Sequence, residues 1–93
     1  MLLVNILKDM INESQPGFYF CSFKNKTLYI HSASGSIVAN INVPISGNGV
    51  IVGADTDSKA AYVCVTASNR KVYAYKRNGT NSNSWSLSRI YGV

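Results

Sequence analysis

Two short basic turns are the residues of this chain best placed to do chemistry. Lys24-Asn25-Lys26 and Asn69-Arg70-Lys71 each set cations beside an asparagine that can donate and accept hydrogen bonds. Clustered ammonium and guanidinium groups attract phosphates, nucleic acid or acidic protein surfaces. Lysines at turns also serve solubility and the blunting of sheet edges, and that plain use competes with any ligand. A second set is aromatic. Trp85 and Tyr91, with Arg89 between them and Asn81 and Asn83 nearby in sequence, could stack on a sugar ring and hold it by hydrogen bonds. Aromatics spaced like Tyr29, Tyr73 and Tyr75 otherwise build strand core, and Trp85 is expected to be the exception because it follows an open polar loop.

Other chemistry finds less support. His31 has no evident nucleophile or carboxylate partner, the acids are scattered, and no glycine-rich loop is built to cradle phosphate. The expectation is a protein that is not an enzyme. Cys21 and Cys64 read as small buried hydrophobes, and with a single histidine they lack zinc-site spacing. Asp55 and Asp57 sit with Thr56 and Ser58 in a composition that could bind calcium. No glycine-centred loop and closing glutamate follow, so turn formation is expected there, and no cofactor or metal is expected.

The two basic turns occupy matching places in an internal repeat. Tyr19 and Cys21 fall on Tyr62 and Cys64 at an offset of 43 residues; after a one-residue slip, Asn25, Lys26, Leu28, Tyr29 and Gly35 fall on Asn69, Arg70, Val72, Tyr73 and Gly79 at 44. Such a period means one supersecondary unit copied. With 93 residues, the two units must share one core. The sequence divides into an N-terminal segment at 1–15, a first unit at 16–46 and a second at 47–93.

Lys and Arg number 9 against 4 Asp and Glu, a formal charge of +5 that bears on solubility and non-specific attraction before any particular partner. No basic leader with a cleavage site opens the chain and no apolar run is long enough to span a bilayer. An intracellular protein without membrane contact is the expectation.

In Leu2 to Glu13, Leu3, Ile6, Leu7, Met10 and Ile11 recur at helical spacing against Asn5, Lys8, Asp9 and Asn12, which predicts an amphipathic helix. Ser14-Gln15-Pro16-Gly17 stops it. A strand over Leu2 to Leu7 is the competing reading. From Phe18 onward strands are predicted at 18–23, 27–32, 37–43, 50–54, 60–66, 71–76 and 85–91. Asn78-Gly79 is expected to turn tightly through positive φ. Phe18 to Phe23, Val50 to Gly53 and Ala61 to Thr66 are apolar on both faces, whereas Ile37 to Val43 alternates with Asn40 and Asn42. Burial on both faces is what strands wedged between two sheets require.

The run Gly53-Ala54-Asp55, Ala61-Tyr62-Val63, Lys71-Val72-Tyr73-Ala74-Tyr75 and Asn78-Gly79 resembles a four-stranded blade of the β-propeller superfamily, and Phe18 to Val43 resembles three strands of another. The resemblance implies a mainly β chain of two antiparallel blades in meander order. Two blades cannot close a ring, so it further implies a homo-oligomer, a trimer first and a tetramer second. Every blade would then bring a basic turn to one rim, making a non-catalytic binding or scaffold module for an anionic or protein partner. A carbohydrate-binding propeller is the functional alternative, and a monomeric two-sheet β-sandwich the structural one.

Overall fold

A computed structural model describes residues 19–57 and 59–92. Seven strands follow one another: β1 (Tyr19–Lys24), β2 (Thr27–Ser32), β3 (Ile37–Asn42), β4 (Ile51–Thr56), β5 (Tyr62–Ala67), β6 (Lys71–Arg77) and β7 (Trp85–Gly92). They form two antiparallel meanders, a three-stranded sheet ordered β1-β2-β3 and a four-stranded sheet ordered β4-β5-β6-β7. The predicted helix over Leu2 to Glu13, and the strand that competes with it, lie outside the described residues. No helix occurs among the described ones.

Alternation decides which face of each strand is buried. In β5, Val63, Val65 and Ala67 point into the core while Tyr62, Cys64 and Thr66 are exposed. Tyr73 and Tyr75 of β6 stand opposite Val65 and Val63 and share their burial. From the other sheet come Leu28 and Ile30, both fully buried, with Cys21 and Ala39 paired to Ile30 and Ile41 paired to Leu28. The sheets come closest along β1 and β4. Val43 and Ile45 from the β3–β4 connection, and Ala60 from the β4–β5 connection, complete the buried cluster. Gly49 is required in that connection, because a Cβ there would meet the Ile45 side chain at 2.5 Å.

Apolar residues on both faces of a strand do not produce burial on both faces within one chain. Cys64 is exposed although Cys21, its repeat counterpart, is half-buried against the core. The expectation that both cysteines are buried therefore fails for Cys64. Asn78-Gly79 also departs from expectation, for neither residue has positive φ. Asn78 instead closes a longer loop: its amide donates to the Ser84 carbonyl at 2.9 Å, its Nδ2 donates to Ser84 Oγ at 2.8 Å, and its Oδ1 accepts from Ser86 Oγ at 2.7 Å. Side-chain hydrogen bonds shape this turn in place of left-handed backbone.

The internal repeat reaches into backbone detail. β5 begins 43 residues after β1 and β6 begins 44 after β2. The slip falls in the hairpins, since residues 25–26 join β1 to β2 and residues 68–70 join β5 to β6. In the longer turn Arg70 N–H donates to the Ala67 carbonyl at 3.2 Å and Arg70 adopts φ 67, the left-handed residue that closes a three-residue hairpin loop. Both sheets carry a register shift at the same repeat position, between Ile30 and His31 and between Ala74 and Tyr75.

Candidate functional site

Backbone hydrogen bonds bring the two basic turns to one end of the molecule. The Asn25 carbonyl accepts from Ile51 N–H at 2.7 Å, and the neighbouring Val50 carbonyl accepts from Ser68 N–H at 2.8 Å. Val50 N–H in turn donates to Ser68 Oγ at 2.9 Å, so the start of β4 is clamped between the turns. The six residues do not share one role. Lys26 Nζ donates to the Gly47 carbonyl at 2.7 Å and ties down the β3–β4 connection. Asn69 donates through Nδ2 to the Tyr73 hydroxyl at 3.0 Å and accepts Lys71 N–H on Oδ1 at 3.1 Å, which makes it a turn-former. Asn25 holds φ 56, a conformation asparagine tolerates. Lys24, Arg70 and Lys71 are left exposed, as the cations of this end that face solvent.

The aromatic set is divided. Trp85 is buried, and its indole N–H donates to the Ala60 carbonyl at 2.6 Å, so it is core rather than a sugar platform. Tyr91 pairs with Val72 on the opposite, outward face, with the Arg89 guanidinium 4.9 Å from its ring centroid. Only Arg89 and Tyr91 of the three are brought together. Of the two acids expected in a turn, only Asp57 is in one, its Oδ1 accepting Tyr62 N–H at 3.2 Å; Asp55 belongs to β4, where it pairs with Cys64 and its Oδ1 accepts Thr56 N–H at 2.9 Å.

Two groupings escaped the sequence reading. His31 has a nucleophile-type partner after all, since Ser22 Oγ lies 2.7 Å from its Nε2. Its Nδ1 lies 3.1 Å from the Gly35 carbonyl, which can only accept, so Nδ1 carries the proton and Nε2 accepts from the serine hydroxyl. The ring stacks on Phe20 at 4.9 Å, all on the outward face of the three-stranded sheet. A two-residue hairpin loop sets Ser22 opposite Tyr29 and hence diagonal to His31, so turn length was the usable signal.

The second grouping is a cleft of about 600 Å³ at the end opposite the basic turns, lined by Tyr19, Lys59, Tyr62, Lys76, Arg77 and Asn81 among others. Arg77 is fixed within its wall. Nε donates to the Ser82 carbonyl at 2.6 Å, Nη1 to the Lys59 carbonyl at 3.2 Å and Nη2 to the Tyr19 hydroxyl at 2.9 Å. The guanidinium carbon also lies 4.7 Å from the Tyr19 ring centroid and 5.3 Å from that of Trp85. These are cation–π distances, and with three donors engaged the group is held in one position.

Burial pushes the Cys21 thiol up from its ordinary value, and the Asp55 carboxylate raises it further. A raised thiol means the folded chain retains its proton where the unfolded chain has lost it, so this group's contribution to stability holds at lower pH and falls as pH rises through the thiol range. In a Cys64→Ser variant, the rate of Cys21 labelling by a disulfide reagent is expected to reach its midpoint at higher pH than for a free thiol. A midpoint at or below the free-thiol value would contradict the burial of Cys21 against the core.

Fold and surface define a small, mainly β protein whose described residues form two antiparallel sheets with cations at both ends. Comparison with protein-family models, with curated proteins and with solved structures gave no match.

Proposed function

We propose that this chain is a non-catalytic binding or scaffold module that assembles head to tail into a propeller-like ring, presenting Lys24, Arg70 and Lys71 of every copy on one rim to an anionic or acidic protein partner. The observation that carries this reading is the relation between the repeat and the sheet faces. Tyr19, Cys21, Leu28 and Ile30 lie on the inward face of the three-stranded sheet. Their repeat counterparts, Tyr62, Cys64, Val72 and Ala74, lie on the outward face of the four-stranded sheet. Conversely the inward Val63, Val65, Tyr73 and Tyr75 correspond to the outward Phe20, Ser22, Tyr29 and His31.

Each sheet thus has a face of one kind and a face of the other, and one chain joins two unlike faces in its core. The two left outside are again unlike. A second copy can repeat the internal packing on them, which makes the contact heterologous and either cyclic or open-ended. The sheets come closest along β1 and β4, the first strand of each, as the inner strands of neighbouring blades would. Exposure of Val52 at 57%, Tyr62 at 59% and Tyr91 at 46% on the outward face of the four-stranded sheet adds an apolar patch with a reason to be covered.

Sedimentation equilibrium tests the reading. The expected mass is a small integer multiple of the 10.1 kDa chain, three first and four second. A single-chain mass at tens of micromolar would end it.

A further inference from the structure

We infer that the cleft holding Lys59, Lys76 and Tyr62 binds a phosphorylated ligand with a flat ring, a nucleoside monophosphate by chemical class. Its volume of about 600 Å³ falls among those of small-molecule sites, which run roughly from 300 to 1,000 Å³. Three of its lining residues are cations and none is a carboxylate. Arg77 is half-buried, yet its acceptors are two carbonyls and a phenol, so it contributes a fixed positive charge with no anion against it among the described residues. Removing a charge from water without a counter-charge is costly, and an anion in the cleft would offset that cost. Lys59 and Lys76 are exposed, and among the described residues nothing engages their ammonium groups, which can close on a phosphate.

The first unit carries no charge at the matching places. At an offset of 44, Lys76 and Arg77 correspond to Ser32 and Ala33, and at 43 Lys59 corresponds to Pro16. The first unit builds its equivalent hairpin with neutral residues, whereas the second gathers three cations around a concavity. Tyr62, 59% exposed and lining the same cleft, offers an open ring for stacking, and Asn81 is an exposed amide donor. Phosphate for the lysines and a planar group for the tyrosine together specify the ligand class. The contact proposed above would cover Tyr62, so the inference concerns the single chain and competes with that reading for this face.

The test is a titration of the full chain with adenosine 5′-monophosphate, followed by backbone amide NMR, with inorganic phosphate and adenosine as separate arms. The expected result is saturable shifts confined to residues 59–62 and 76–81, with both fragments binding more weakly than the intact nucleotide. Paired Lys59→Glu and Lys76→Glu changes remove two charge-assisted contacts and are expected to weaken binding by about tenfold or more. Changing the exposed Asn40, Asn42, Ser46 and Asn48, none of which lines the cleft, together to Glu makes the same alteration in net charge and should leave affinity within about twofold. Tyr62→Ala should abolish the preference for the nucleotide over inorganic phosphate. Absence of saturable shifts at millimolar nucleotide overturns the inference. So does an equal loss from both sets of charge changes, which would mark general attraction to a basic protein.

Discussion

Trp85→Ala is expected to lower the unfolding free energy by about 3–5 kcal/mol, the range for removing a large aromatic from a core. A chain of this length has roughly 5–14 kcal/mol in total, at about 0.05–0.15 kcal/mol per residue. The loss is therefore a large fraction of the whole. Three structural facts place it at the upper end. Trp85 is buried at the first position of β7, its ring meets Tyr19 edge-on at 6.5 Å between centroids, and its N–H satisfies the carbonyl of Ala60, itself fully buried. Trp85→Phe separates packing from hydrogen bonding, because it keeps a ring but strands that carbonyl at a cost of about 1–3 kcal/mol. Urea unfolding followed by far-ultraviolet circular dichroism measures both, since the variants lack the only tryptophan. An alanine variant within about 1 kcal/mol of the parent would mean that Trp85 is not core.

Cys64→Arg is expected to convert the proposed assembly to single chains. Cys64 is central on the outward face of the four-stranded sheet, opposite Asp55 on one side and Ala74 on the other. In a lone chain the substitution is mild, for the site is exposed and Asp55 stands ready to pair with the new guanidinium. At a contact that repeats the internal packing, the same residue would bring a charge where Cys21 now meets the core. Taking the guanidinium and its Asp55 partner out of water costs several kcal/mol that their pairing offsets only in part, so association should weaken by about a hundredfold or more. Sedimentation gives the mass and circular dichroism checks the fold. Unchanged association in a folded variant would show that this face is not the contact.

Strand positions were legible because the cues were local. Alternation, turn residues and β-branched runs fix β1 to β7 to within about two residues at each end. Hidden from a linear reading was which of two apolar faces turns inward, because that depends on how one sheet meets another. Cys21 and Cys64 occupy the same repeat position and yet lie on opposite sides of their sheets with respect to the core. Trp85 looked exposed because a polar loop precedes it, while the Ala60 carbonyl that anchors it comes from 25 residues earlier. The candidate sites divide along the same line. Shared placement of the basic turns followed from meander order, but the tethering of Lys26 to Gly47 and the convergence of Lys59 with Lys76 and Arg77 are non-local.

The single additional residue in the 68–70 hairpin has an evolutionary consequence. Beyond it, strand start and register shift resume at a constant offset, so the extra residue is accommodated within the turn and is not passed on to the strands. Loop length at the basic end is thus decoupled from folding. Selection can lengthen or recompose that tip to acquire new partners while the sheets beneath it are inherited unchanged.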